Sequence, residues 1–202
     1  MARYTKEHMR SLAALVLGFA SLVMAGMPVV PRQAPEFVIT LPGGRQALLS
    51  QFKGKVVALE FLFTTCPHCQ HEASLIAQLN GELGPKGFQP IGVAINTLDI
   101  PSVMSFVQQT GANYLVGVSE RNAALDFMGI SIMERWVVPQ LVLIDRKGVV
   151  RYQTPPLGSE EVQNQAWLRE KIEELLKEPA ASTHHPAATK KSAMASTRKQ
   201  GS

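Results

Sequence analysis

Val56-Val-Ala-Leu-Glu-Phe-Leu-Phe63 is an apolar run interrupted by a single charged residue. Such a run predicts a central strand covered on both faces, as in α/β sheets, and it makes its lone acid, Glu60, conspicuous. Phe88 to Ile95 is a second run of this kind. Residues 36–40 and Tyr114 to Val118 read as shorter strands, and Ala47 to Ser50 as a short element after the turn at Leu41-Pro-Gly-Gly44. Gln140 to Ile144 and Val149 to Tyr152 flank the turn Asp145-Arg-Lys-Gly148 and predict a hairpin. Between the strands the period changes to that of helices. From Pro67 to about Leu83, Ala73, Ile76, Ala77 and Leu79 or Leu83 share a face, with Gly84-Pro85 as the stop. Pro101 opens a helix with an apolar stripe of Val103, Met104, Phe106 and Val107, closed by Gly111. Asn122 is placed to cap a short helix that ends at Gly129. A last amphipathic helix is predicted from about Ser159 to Lys177, through Val162, Trp167, Leu168, Ile172 and Leu175. Strands that alternate with helices up to a terminal hairpin predict an α/β fold with a central mixed β-sheet.

The ends read differently. A head with Arg3, Lys6 and Arg10 precedes an apolar segment from residue 12 to residue 30, then a Pro-rich stretch at 31–35. This is the pattern of an export signal or a membrane anchor. Ala25 suits a cleavage site, whereas the segment is about as long as the roughly 20 residues a spanning helix needs. Either fate places the rest of the chain on the extracytoplasmic, periplasmic side. From Pro179 the chain is Ala, Ser, Thr, Pro and Lys with almost no large apolar residue, which predicts a disordered basic tail. The expected organisation is therefore 1–34 signal peptide or anchor plus linker, 35–178 one folded domain, and 179–202 tail. Charge agrees with this division. The formal net charge is +4, of which residues 1–30 carry +2 and residues 179–202 carry +4, leaving the body at −2. The body thus offers no basic surface for nucleic acid.

The only two cysteines lie in Cys66-Pro-His-Cys69, between the end of the first long strand and the start of a helix. A lone Cys-X-X-Cys in that setting reads as a redox dithiol. Unsatisfied backbone N–H groups and the helix dipole favour a thiolate at Cys66, the expected nucleophile. Cys69, one turn further on, is the expected resolving thiol. Pro67 suits the first helical turn, and His68 adds a donor that would stabilise the thiolate and make the disulfide more oxidising. Two other readings are weaker. A structural disulfide would close too small a loop to constrain the unfolded chain. A metal site built from Cys66, His68, Cys69 and His71 would need four donors within six residues of helix to converge on one ion. No metal and no cofactor beyond the Cys66–Cys69 disulfide is expected. His71 and Glu72 are expected to be solvated residues on the helix face.

Leu49-Ser-Gln-Phe-Lys-Gly-Lys-Val-Val-Ala-Leu-Glu-Phe61, Cys66-Pro-His-Cys69, Val138-Pro139 and Ile144-Asp-Arg-Lys-Gly148 together resemble the thioredoxin-like thiol-disulfide oxidoreductases. Within these, the chain is most similar to the membrane-anchored TlpA/ResA group, also described as redoxin or AhpC/TSA-like. The resemblance covers roughly residues 35–178. It implies a thioredoxin fold with a helical insertion, an extracytoplasmic location and dithiol exchange with protein thiols and disulfides. It also implies an upstream redox partner, such as a membrane electron donor. Carried over by position, Pro139 matches the cis-proline that faces the dithiol, and Val138 the backbone that pairs with a client. Glu60 matches the buried acid behind the resolving cysteine, suited to take or deliver its proton through water.

The chain departs from that pattern in three places. Thr64-Thr65 stands where many reductive members carry tryptophan, Gln140 replaces the threonine often found after the cis-proline, and the Pro67-His68 dipeptide is DsbA-like. The topology points to a reductase and the dipeptide to an oxidase, with the reductase favoured. Two further classes compete with this reading. A thiol peroxidase would carry threonine three residues before its reactive cysteine, where this chain has Phe63. A non-catalytic metal-binding module would bind copper or zinc without exchange.

Overall fold

In the computed structural model, which describes residues 29–179, eight strands form one mixed sheet. They are β1 (Arg32–Gln33), β2 (Val38–Thr40), β3 (Gln46–Leu48), β4 (Val56–Leu62), β5 (Phe88–Ala94), β6 (Leu115–Val118), β7 (Gln140–Ile144) and β8 (Val149–Gln153). Their spatial order is β1-β8-β7-β4-β5-β6-β2-β3, so β4 lies inside the sheet, parallel to β5 and antiparallel to β7. Every residue of β4 is buried, as the apolar run predicted. Successive side chains of a strand point to opposite faces. Val57, Leu59 and Phe61 enter one core with Phe37, Ile91 and Phe127. Val56 and Ala58 enter a second core with Ile76, Leu79 and Leu168, and Leu62 a third with Cys69, Ala73 and Phe106. Glu60 lies between Ala58 and Leu62 on this second face, beneath the helix that carries the cysteines.

Four α-helices cover the sheet: α1 (Pro67–Leu83), α2 (Ile100–Thr110), α3 (Arg121–Met128) and α4 (Gln165–Lys177). Helix α3 packs on the first face, where Phe37, Phe61 and Phe127 meet with ring centroids 5.3 to 5.8 Å apart. Helices α1, α2 and α4 contribute to the cores on the other face. Local chemistry sets their ends. Pro67 occupies the first turn of α1 with Cys66 as its N-cap residue. The Asp99 carboxylate accepts from the Ser102 N–H at 3.0 Å to start α2, which stops at Gly111 with φ +67°.

The structure differs from expectation at three points. The predicted linker contains β1, an edge strand paired with β8, and the Arg32 guanidinium donates to the Phe127 carbonyl at 3.0 Å and to Gln153 at 2.7 Å. Asn122 does not cap α3, because that helix already begins at Arg121, after Glu120. The last helix is broken. Ser159 caps a single 3-10 turn at Glu160–Gln163, and α4 begins only after Asn164. The Asn164 side chain accepts from the N–H groups of Ala166 at 2.9 Å and Trp167 at 3.1 Å, which starts a new helix instead of extending the old turn. Apart from residues 29, 30 and 179, the predicted apolar segment and tail lie outside the described residues. Among the described residues no helix is long and apolar enough to cross a membrane.

Candidate active site

Strand β4 ends one short turn before Cys66, so the central strand delivers the first cysteine to the N-terminus of α1. The loop between them is fixed by neighbouring side chains. Thr64 N–H donates to Asn96 Oδ1 at 3.0 Å, Asn96 Nδ2 donates to Thr64 Oγ1 at 3.2 Å, and Gln70 Nε2 donates to the Thr64 carbonyl at 3.1 Å. Cys66 N–H donates to the Phe63 carbonyl at 3.1 Å.

Both cysteines are free thiols, but their depths differ. Cys66 is half-buried and Cys69 fully buried. The Cys66 thiol faces the Val138 carbonyl at 3.9 Å, and the Val138–Pro139 peptide is cis. No hydrogen bond from the Val138 N–H is present among the described residues, which leaves this short piece of backbone open next to the sulfur. Pro67 and His68 are exposed on the first turn of α1. A groove of about 300 Å³ opens here, with His68, Val138, Pro139, Leu157, Val162 and Gln163 in its lining.

Behind the dithiol the environment is acidic and dry. Burial pushes the Cys69 thiol up, with the Glu60 charge and the Cys66 sulfur adding and a backbone contact at Phe63 opposing. Glu60 is 0% exposed, and neither of its oxygens has a hydrogen-bond partner. Burial pushes its carboxyl up to about 8, and the nearby Tyr114 hydroxyl partly offsets this. A carboxylate removed from water without partners carries a large desolvation cost, so Glu60 holds its proton at neutral pH.

Glu72 departs from expectation most sharply. It was predicted to be solvated, yet it is 0% exposed. One oxygen accepts from Gln163 Nε2 at 3.0 Å and the other has no partner. Its carboxyl is pushed well above the usual glutamate range, first by burial and then by the charges of Glu60 and Cys66, while the Gln163 bond opposes the shift. The sequence held a signal for this. Cys69, Glu72, Ile76, Leu79 and Leu83 follow the alternating three- and four-residue spacing of a buried helical stripe, and all five are buried. His71, by contrast, is exposed as expected.

An aromatic flank lies on the other side of the loop. Trp136 meets Phe63 edge to face at 6.0 Å and 82°, and the Arg121 guanidinium sits 5.5 Å from the Phe63 ring and 5.8 Å from the Trp136 ring. An indole therefore stands beside the dithiol loop although none precedes Cys66 in the chain. The structure thus gathers Cys66, Cys69, Glu60, Val138, Pro139, Pro67 and His68 into one neighbourhood. It adds Glu72, Gln163, Tyr114 and Asn96, which sequence reasoning had not placed there.

The family model for Redoxin matches residues 30–166. The chain belongs to the Redoxin family. The chain is 30% identical over 121 residues to the thiol-disulfide oxidoreductase ResA of Bacillus thuringiensis (strain Al Hakam), an alignment that covers 60% of this chain and 66% of that relative's length. A Bacillus anthracis protein of the same name matches at the same identity and coverage. Among solved structures, a Chlorobium tepidum protein described as a thiol:disulfide interchange protein DsbE matches with TM-score 0.60 and 26% identity, over 72% of this chain and 96% of that one. A Bacteroides thetaiotaomicron protein described as a protein disulfide isomerase matches with TM-score 0.62 and 31% identity, over 76% of this chain and 94% of that one. The fold of this Redoxin is accordingly thioredoxin-like.

Proposed function

We propose that this chain is a thiol-disulfide oxidoreductase that exchanges electrons between its Cys66–Cys69 pair and the thiols or disulfides of protein clients, mainly as a reductase. One observation carries the reading. A reachable Cys66 sulfur faces the open Val138 backbone at 3.9 Å, while Cys69 lies buried behind it against two protonatable carboxyls. The names of the relatives support the same chemistry.

In the reducing direction, the Cys66 thiolate attacks one sulfur of a client disulfide. A bond forms between Cys66 and that sulfur, and the client's second sulfur leaves as a thiolate. The Cys69 thiol then gives its proton to the ionised fraction of the buried carboxyl pair and attacks Cys66 Sγ. The Cys66–Cys69 disulfide forms, the client's first sulfur departs as a thiolate, and two electrons have moved to the client. An upstream dithiol restores the reduced pair.

Direction follows from what stabilises the reduced form. A dithiol is a strong oxidant when its reduced form is stabilised, as by a favourable thiolate site. Burial works against a thiolate at Cys69, which favours electron donation. The exposed His68 opposes this and favours the oxidase direction. The basic head and apolar segment at 12–30 support an extracytoplasmic setting, where a membrane electron donor would serve as the upstream partner.

Replacing Cys66 with alanine is expected to abolish exchange with a disulfide-bonded protein, and full retention of exchange would refute the function. The redox state of the pair in the cell decides direction, since a mostly oxidised pair would reverse the assignment.

A further inference from the structure

Gln140 follows Pro139 at the start of β7 and is 0% exposed. Its Nε2 lies within hydrogen-bond distance of three main-chain carbonyls: Val137 at 2.8 Å, Pro155 at 3.2 Å and Pro156 at 3.1 Å. An amide nitrogen has two hydrogens, so at least one is shared between acceptors. The amide orientation is fixed by this arrangement, because the opposite one would set an oxygen against three carbonyl oxygens.

The need for such a donor comes from the sequence. The β7–β8 ladder continues past β8 as far as Thr154, whose N–H donates to the Leu141 carbonyl at 2.9 Å. Pro155 and Pro156 then follow, and neither has an N–H with which to extend the ladder. Their own carbonyls are met by backbone donors, Pro156 by the Val137 N–H at 2.9 Å and Pro155 by the Gly158 N–H at 2.8 Å. The Val137 carbonyl receives no backbone N–H among the described residues, and the Gln140 amide supplies its donor while also reaching the two proline carbonyls. Both segments line the groove beside the dithiol, one through Val137 and Val138 and the other through Leu157 and Gly158. The close approach of Val137 to Gly158 leaves little slack, since a Cβ at Gly158 would lie 3.1 Å from Val137 Cγ2.

We propose that Gln140 is a positioning residue that preforms the client groove, its amide tying the backbone before Val138 to the Pro155–Pro156 loop. Gln140 touches neither sulfur nor client. It acts by holding the open Val138 backbone at a fixed height opposite Cys66, so that an extended client chain docks without first ordering the loop. This rests on the exchange function proposed above and deepens it by naming what sets client affinity.

The test uses the full chain with Gln140→Thr, whose side chain is too short to reach all three carbonyls, and Gln140→Met, which keeps length but has no donor. Two substrates are compared: a synthetic peptide with one intramolecular disulfide, and 2-hydroxyethyl disulfide, which has no backbone to dock. Both variants should raise KM for the peptide about tenfold with kcat within about twofold, and leave the rate with the small disulfide unchanged. Amide exchange at Val137 and Gly158 should speed up about tenfold in both variants while β4 amides stay protected. Unchanged peptide KM, equal loss with both substrates, or unchanged exchange at Val137 and Gly158 would each overturn the proposal. Wild-type protein that exchanges with neither disulfide would instead refute the function itself and leave the amide-exchange outcome to decide the clamp.

Discussion

Glu60 and Glu72 reach the same dry space from different elements, one from the middle of β4 and the other from the second turn of α1, and both are 0% exposed. Each raises the other's affinity for a proton, because two buried like charges cannot both ionise without large cost. With Tyr114 beside them, the two carboxyls form a buried cluster of protonatable groups, the reservoir on which the proposed exchange would draw. Gln163, which bonds Glu72 and lines the groove, links that reservoir to the face where a client would sit.

The reservoir has a stability signature. The Glu60 carboxyl lies at about 8 in the folded protein, against the ordinary 4.5. Between those two values the folded state keeps a proton that the unfolded chain has lost, so stability falls as pH rises through the window and is flat on either side of it. Glu60→Gln removes the titration. Urea midpoints measured from pH 4 to pH 9 are expected to decline in the wild type and to decline less steeply in the variant, where Glu72 alone still titrates with a raised pKa. The variant should be the more stable protein at pH 8, by an amount on the order of a few kcal/mol. A variant curve parallel to the wild type would remove Glu60 as the source.

The same pair should control the second half of the reaction more than the first. Glu72→Gln removes one of the two carboxyls whose ionised fraction can accept the Cys69 proton, and is expected to slow attack by Cys69 on a Cys66–client mixed disulfide by up to about a hundredfold, the more so as pH rises. Formation of the mixed disulfide should change far less. Quenched-flow trapping would show the mixed disulfide accumulating in Glu72→Gln and persisting in Cys69→Ser. Equal slowing of both halves would argue against a proton role for Glu72.

Asn164→Ala tests the break between the 3-10 turn and α4. Loss of two N–H contacts at the cap should cost about 1 kcal/mol in urea unfolding. Because Gln163 precedes this cap and bonds Glu72, the substitution should also slow the resolving step. A change in stability with unaltered resolving kinetics would show that the turn positions nothing at the site.

Gly117 addresses the fold away from the chemistry. A Cβ there would lie 2.6 Å from both the Thr40 carbonyl oxygen and Ile39 Cγ2, where β6 meets β2. The backbone oxygen cannot turn aside as a side chain could, so Gly117→Ala should cost about 1 to 3 kcal/mol. Amide exchange should locate the loss in β2 and β3, with β4 and the dithiol unaffected.

Much of this organisation was legible before the structure. The apolar runs of β4 and β5, the helix behind the cysteines and the terminal hairpin all carried strong periodic or compositional patterns. What was hidden had a physical reason in each case. β1 is a two-residue edge strand of Arg32 and Gln33 with no apolar signature. The break at Asn164 depends on one side chain competing for backbone N–H groups, which an amphipathic pattern does not register. Glu72 is hidden by its charge, which suggests a solvated face, whereas its spacing places it in the buried stripe. Gln140 stands out in the sequence only as a departure, because its role depends on the Val137 carbonyl, which lacks a backbone donor opposite two prolines some fifteen residues further along the chain.

The difference in depth between Cys66 and Cys69 has a consequence for selectivity. Any reagent arriving from solvent, whatever its redox potential, meets a single sulfur, because one turn of helix separates a reachable atom from a sealed one. Regioselectivity is thus imposed by access and not by relative reactivity, and it holds equally for a client disulfide, an alkylating agent or an oxidant.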